Sequence, residues 1–143
     1  MSSPELVVFI GSPASGKSTY YRKHYASTHV HINLDTFKSR SVERKAFLQA
    51  IEDKRSIVVD NTNPKAETRA KFIQPALEAG YTVTAIHFDE PFDVCKKRND
   101  TRENRVPTIA LRTFFQKFEK PELSEGFIVI LTIKQTSPEK DPN

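Results

Sequence analysis

The sequence predicts an α/β fold in which a five-stranded parallel sheet carries helices on both faces. Three observations predict it. Apolar, β-rich runs recur along the chain. Segments with apolar residues three and four apart lie between them, which is the helical period. Runs such as "IVVD" are apolar without interruption, as strands buried on both sides are. Strands that alternate with helices need crossover connections, and these build parallel sheets.

The first strand is expected over Leu6–Ile10, followed by a glycine-rich turn and a helix over Ser18–Tyr25. The second strand is expected over His29–Asn33. The helix Val42–Ile51 places Val42, Ala46, Phe47, Ala50 and Ile51 on one face. Ser56–Asp60 forms the third strand. Pro64 then suits the first turn of a helix over Lys65–Ala79, whose apolar face holds Ala66, Ala70, Ile73 and Leu77. Val83–Phe88 is the fourth strand. Two helices follow, Phe92–Arg102 and Thr108–Glu119, the latter with Leu111, Phe114, Phe115 and Phe118 in helical spacing. Phe127–Ile133 completes the sheet. One domain is expected over residues 1–135, and the polar, proline-containing end at 136–143 is expected to be a disordered tail or linker.

The 143 residues suit one domain with a real core. Lys and Arg number 22 against 18 Asp and Glu, a net charge of +4 that permits an anionic partner without establishing one. A single cysteine, Cys95, leaves no internal disulfide, which suits a reducing compartment. No apolar run is long enough to span a membrane, and no signal peptide leads the sequence. An intracellular protein, monomeric and without a membrane partner, is the expectation. The histidines show no metal spacing, and His29 and His31 read as structural.

"GSPASGKS", Gly11 to Ser18, matches G-x-x-x-x-G-K-S between a strand and a helix, the context this motif requires. Gly11, Ser12, Pro13, Ala14, Ser15 and Gly16 form a backbone cradle for phosphates, which Lys17, Ser18 and Thr19 extend into the helix N-terminus. Lys17 is placed to reach the β- and γ-phosphates of ATP, and the Ser18 hydroxyl to hold Mg²⁺. GTPases, motor ATPases and small kinases share this loop. No N-K-x-D guanine-reading motif is present, and the length leaves little room for the relay elements of a large ATPase. A phosphoryl transferase is the simplest reading.

In parallel sheets, ligands bind beyond the carboxyl ends of the strands. Asp35, in "HINLDTFKSR", lies there. It reads equally as the base that deprotonates an acceptor hydroxyl and as the N-cap of a helix starting near Thr36. Asp60, ending "IVVD", lies where a carboxylate would brace Mg²⁺, and Asn61, Thr62 and Asn63 add hydrogen-bonding groups. Arg98, Arg102 and Arg105 recur at spacings of four and three. If helical they share one face. Alone they read as a solvated, salt-bridged face; beside a phosphate loop they read as a lid over ATP.

Taken together, "GSPASGKSTYYRKHY", "HVHINLDT", "IVVDNTNP", "NDTREN" and "KFEKPELSEGF" resemble the kinase domain of the polynucleotide kinase/phosphatase family, from about Pro4 to Ile133. The resemblance implies transfer of the γ-phosphate of ATP to the 5′-OH end of DNA, or of RNA, in nucleic-acid end repair. It implies that Asp35 is the general base, that Lys17 and Ser18 serve the phosphates and metal, and that Arg102 is the lid arginine. It also matches Asp60 to an aspartate lining the acceptor side. Thr62, Lys38, Arg40, Arg69 and Lys71 are then candidate acceptor contacts. A nuclear location is implied if the chain comes from a eukaryotic bifunctional relative, where a phosphatase domain would share the longer chain. The D-x-D-G-T motif of that phosphatase is absent here, so no 3′-phosphatase activity is expected. Two features depart from the family pattern. Leu34 stands where the family often has arginine. The stretch from Arg102 to Pro107 is short, so Arg105 could share or replace the role of Arg102. Two other readings stay open: a small-molecule P-loop kinase, and a non-catalytic nucleotide-gated nucleic-acid binding module.

Overall fold

Residues 3–134 are described by the structure, a computed structural model. Five strands run parallel in the order β2-β3-β1-β4-β5: β1 is Glu5–Ile10, β2 Val30–Ile32, β3 Ile57–Asp60, β4 Thr82–Phe88 and β5 Val129–Ile133. The helices are α1 Lys17–His24, α2 Leu34–Phe37, α3 Arg40–Glu52, α4 Ala66–Glu78, α5 Phe92–Thr101 and α6 Thr108–Lys117. A 3₁₀ turn covers Leu123–Glu125. The expected sheet and its five helices are present. The short α2 was expected only under the capping reading of Asp35, as a helix starting near Thr36, and the 3₁₀ turn was not expected. The expected tail at 136–143 lies outside the described residues.

The alternation of side chains across β1 builds two apolar layers. Leu6, Val8 and Ile10 point to one face, where they meet Phe47 of α3, Phe72 and Ile73 of α4, and Phe114 of α6. Val7 and Phe9 point to the other, where Tyr21 of α1, Val58, Ile86 and Phe88 form a smaller cluster. The central strands are buried on both sides, as their uninterrupted apolar sequence requires.

Three residues placed on apolar faces by periodicity are exposed: Val42 at 47%, Leu77 at 40% and Phe115 at 38%. Val42 sits in the first turn of α3, beyond the sheet, and Leu77 lies beside Gly126, whose φ of 116° and closeness to Leu77 Cδ1 exclude a side chain there.

Pro75 lies inside α4 and has no N–H to offer the carbonyl four residues before it. That carbonyl belongs to Lys71. Arg44 of α3 donates to it at 2.7 Å, so the gap in one helix is filled by its neighbour. This bond ties α3 to α4 along one side of a groove described below.

Candidate active site

Gly11 leaves β1 and starts the phosphate loop. Its N–H donates to the Thr62 carbonyl at 3.1 Å, which stitches the loop to the end of β3. A Cβ at Gly11 would stand 2.6 Å from Ser15 Oγ and 3.0 Å from Phe88 Cβ, so only glycine fits. Gly16, in the left-handed region at φ 99°, is the N-cap of α1 and supplies no side-chain acceptor. The first amides of α1 are therefore left facing the loop, where an anion is favoured. The Lys17 ammonium donates to the Gly11 carbonyl at 3.1 Å and the Ser12 carbonyl at 2.9 Å. Burial pushes its pKa down to about 8, against the opposing pull of Asp60.

Asp60 ends β3 on the α1 side of the sheet, 1% exposed. Its Oδ2 accepts from Ser18 Oγ at 2.7 Å and lies 2.7 Å from His31 Nε2. The His31 ring stacks on Tyr21 at 3.9 Å. Asp60 Oδ1 is buried and has no protein partner. A hydroxyl and a carboxylate with an unused oxygen form the hard-oxygen donor set that suits Mg²⁺, which takes few protein ligands and relies on phosphates and water for the rest. Among the described residues no cluster of three or more His, Cys, Asp or Glu could hold a metal. The Ser18 hydroxyl and the unused Asp60 oxygen are compatible with such an ion.

The two readings of Asp35 separate here. Asn33, not Asp35, caps α2: its Oδ1 accepts from Thr36 N at 3.2 Å, while its Nδ2 donates to the Asp60 carbonyl. The Asp35 carboxylate makes no hydrogen bond or ion pair among the described residues, and it lines a cleft of about 270 Å³. Lys17, Ser18, Asp60, Thr62, Arg40 and Arg102 line the same cleft. It thus brings together a phosphate cradle, a metal-competent pair, a solvent-facing carboxylate and two guanidinium groups. Such an arrangement can align an activated phosphoryl group with an acceptor hydroxyl next to a base. Leu34, which occupies the departing position, is held through its backbone: its N–H donates to Asn61 Oδ1 at 2.9 Å, and its side chain lines the cleft.

The other expected contacts fall into three groups. Lys38 is exposed and does not line the cleft; its φ of 65° ends α2 and turns the chain toward α3. Lys71 lies in a separate groove of about 590 Å³ between α3 and α4, lined also by Arg40, Ser41, Glu43, Arg44, Thr68 and Phe72. Arg69 is corrected: it is fully buried, its guanidinium gripping Glu125 through two bonds of 2.9 Å and the Asn63 carbonyl at 2.9 Å. It cannot meet an acceptor phosphate without abandoning those partners. Arg69→Met is expected to lower stability by about 3 kcal/mol, because the Glu125 carboxylate loses its buried partner. Denaturant unfolding measures it, and an unchanged unfolding midpoint would count against this assignment.

The lid differs from the shared helical face that the spacing implied. α5 stops at Thr101, and Arg102 is already extended. The cause is Asn99, 1% exposed, whose side chain donates to the Val106 carbonyl at 2.7 Å and accepts from its N–H at 3.0 Å. This clamp holds residues 102–106 in a loop. Arg102 reaches the cleft, whereas Arg105 donates to the Asp100 carbonyl and Arg98 to the Ala14 carbonyl, beside Glu90. Neither Arg98 nor Arg105 lines the cleft. Cys95 is buried beneath the loop, and burial raises its thiol pKa.

Sequence reasoning left His31, Asn33, Glu43 and Asn99 without a role in the site, and gave Asn61 only a general hydrogen-bonding one. Their partners at the site, such as Asp60 for both His31 and Asn33, and Asn61 for Glu43, lie on other strands or across loops.

A parallel sheet with β1 at its centre, a phosphate loop opening α1, and a carboxylate closing β3 beside it define a P-loop nucleotide-binding domain of the kinase type. The chain belongs to the AAA_33 family, an AAA domain, whose model matches residues 6–121. It is 33% identical over 129 residues to a bifunctional polynucleotide phosphatase/kinase of Schizosaccharomyces pombe, covering 86% of this chain and 32% of that one. The chain spans about a third of the length of the curated polynucleotide phosphatase/kinase relatives it matches. Among solved structures, Kti12 of Chaetomium thermophilum in complex with ADP-AlF3 has the same fold, with a TM-score of 0.73, 18% identity, and coverage of 91% of this chain and 89% of that one. A gluconokinase from Sinorhizobium meliloti also shares it, at a TM-score of 0.65 and 18% identity, covering 96% and 86%. At such identities these two structures speak for the fold alone. Among the described residues no helix is long and apolar enough to cross a membrane.

Lys17 gives this nucleotide site a pH signature. A lysine whose pKa burial has lowered to about 8 is an ammonium below that pH and neutral above it. Triphosphate binding favours the ammonium. Affinity for a nucleoside triphosphate is therefore expected to hold between about pH 6.5 and 7.5, then to fall by up to about tenfold per unit above 8. Titration calorimetry across this range tests it. Constant affinity to pH 9.5 would count against it.

Proposed function

We propose that the chain is an ATP-dependent polynucleotide 5′-hydroxyl kinase, acting on DNA or RNA ends in nucleic-acid end repair. One observation carries the choice of a polymer over a small acceptor. The cleft holding Asp35 and the groove between α3 and α4 share Arg40 in their walls. An acceptor whose terminal hydroxyl meets Asp35 can thus continue past Arg40 toward Lys71, with a basic side chain at each step. A sugar-sized acceptor has no use for the second groove. The name of the S. pombe relative points the same way.

In this reading the acceptor 5′-oxygen attacks the γ-phosphorus of ATP, its proton passes to Asp35, and the bond to the β–γ bridging oxygen breaks to release ADP. The loop amides and Lys17 hold the β- and γ-phosphates, and Arg102 meets the charge that spreads over the transferring group. Ser18 and Asp60 would hold Mg²⁺, which when bound neutralises phosphate charge. Lys71 and Arg40 contact backbone phosphates, so little sequence preference and a strong salt dependence are expected.

The test is transfer of the labelled γ-phosphate from ATP to 5′-OH oligonucleotides of DNA and RNA, alongside gluconate and nucleosides. Transfer to 5′-OH ends, blocked by a pre-existing 5′-phosphate and weakened by salt, is the expected result. Transfer to a small alcohol with none to polynucleotide ends would overturn the polymer reading. Binding of oligonucleotide and ATP without transfer would favour a non-catalytic module.

A further inference from the structure

Glu43 is a charged residue where charge is costly. Its side chain is 3% exposed, in the first turn of α3. It falls one residue too late to form a capping box with Ser39, which caps α3 by accepting from Val42 N at 3.1 Å. Instead both of its oxygens are used. Oε1 accepts from Arg40 Nη1 at 2.9 Å, and Oε2 accepts from Asn61 Nδ2 at 2.7 Å.

The second bond orients a third residue. A carboxylate only accepts, so the Asn61 amide must turn its NH₂ toward Glu43 and its oxygen away. That oxygen accepts from Leu34 N–H at 2.9 Å. Leu34 immediately precedes Asp35. One unbroken line of three hydrogen bonds therefore runs from Arg40 through Glu43 and Asn61 to the turn that carries Asp35. Arg40 itself is 62% exposed at its side chain, free to answer an anion at the mouth shared by the cleft and the groove.

We propose that Glu43 is a positioning residue that couples the contact between the acceptor strand and Arg40 to the placement of Asp35. This rests on the reading of Asp35 as base and Arg40 as acceptor contact. A phosphate that engages Arg40 changes its share in the Glu43 carboxylate. That carboxylate holds the Asn61 amide, and Asn61 fixes the backbone at the base. Glutamine at this position cannot do the same. It has one acceptor oxygen, so it can satisfy Arg40 or Asn61 but not both, and its NH₂ opposes the other donor.

The test is steady-state transfer to a 5′-OH oligonucleotide by wild type, E43Q, R40A and the E43Q/R40A double variant. E43Q is expected to lower kcat by about 10- to 100-fold, the cost of a small misplacement of a reacting group, with the KM for ATP unchanged. The double variant is expected to have a kcat within about twofold of E43Q alone, because two members of one line do not act independently. A wild-type kcat in E43Q, or losses that multiply in the double variant, would overturn the coupling. So would a rise in the KM for ATP matching the kcat loss, which marks general damage. Should E43Q fail to fold, N61A breaks the same line from its half-buried side and carries the same expectations in combination with R40A. If wild type transfers phosphate to 5′-OH ends and E43Q does so equally well, the functional reading stands and this coupling falls. If wild type transfers to no polynucleotide end, both fall.

Discussion

Asp35→Asn is expected to lower phosphoryl transfer by roughly 10³-fold while leaving nucleotide affinity unchanged. Asn33 already caps α2 and anchors it to the end of β3, so the Asp35 carboxylate has no share in holding the turn. Asparagine keeps the size and polarity of the side chain and removes its capacity to take a proton. Folding and nucleotide binding should therefore survive, which separates lost chemistry from lost structure. Single-turnover transfer to a 5′-OH oligonucleotide, with triphosphate binding measured on the same sample, makes the comparison. Near wild-type transfer would show that Asp35 is not the base.

Arg102→Ala should be nearly as severe, with kcat reduced about 10³-fold, whereas Arg105→Ala should change it less than about threefold. The geometry of the lid sets this difference. Arg102 extends from the end of α5 into the cleft, while Arg105 is turned back onto the Asp100 carbonyl. A guanidinium matters to phosphoryl transfer where charge develops, not merely nearby. Steady-state rates for the two alanine variants decide between them. A larger loss from Arg105→Ala would mean that the lid closes with that arginine inward.

The parallel sheet was legible because its central strands β1, β3 and β4 are buried on both faces, and continuous apolar runs leave little choice of structure. The phosphate loop was legible because its glycines shape the backbone while Lys17 and Ser18 act through their side chains at fixed spacing. Charge was harder to read. Arg69 read as an acceptor contact, but it is buried against Glu125, a partner 56 residues away that only the fold brings to it. The lid arginines have helical spacing, yet the Asn99 clamp on Val106 interrupts the helix between them. At the turn of α2, Asn33 and Asp35 are both good caps by residue type, and only geometry shows which one is used. His31 meets Asp60 across neighbouring strands, a contact set by sheet register.

The strand order also dictates how the chain can be made. Within this sheet β1 is made before the other strands, yet both of its neighbours come late: Leu6 pairs with Ile57 on one side and with Val83 on the other. β2, made in between, pairs only with β3. No strand pair can close until residues 57–60 emerge, and the long separations make closure slow. A strongly apolar stretch of the nascent chain, Leu6–Ile10, thus stays unpaired longest, which invites chaperone capture or aggregation. The strand that bears the phosphate loop is the first of this sheet to be made and among the last to be enclosed.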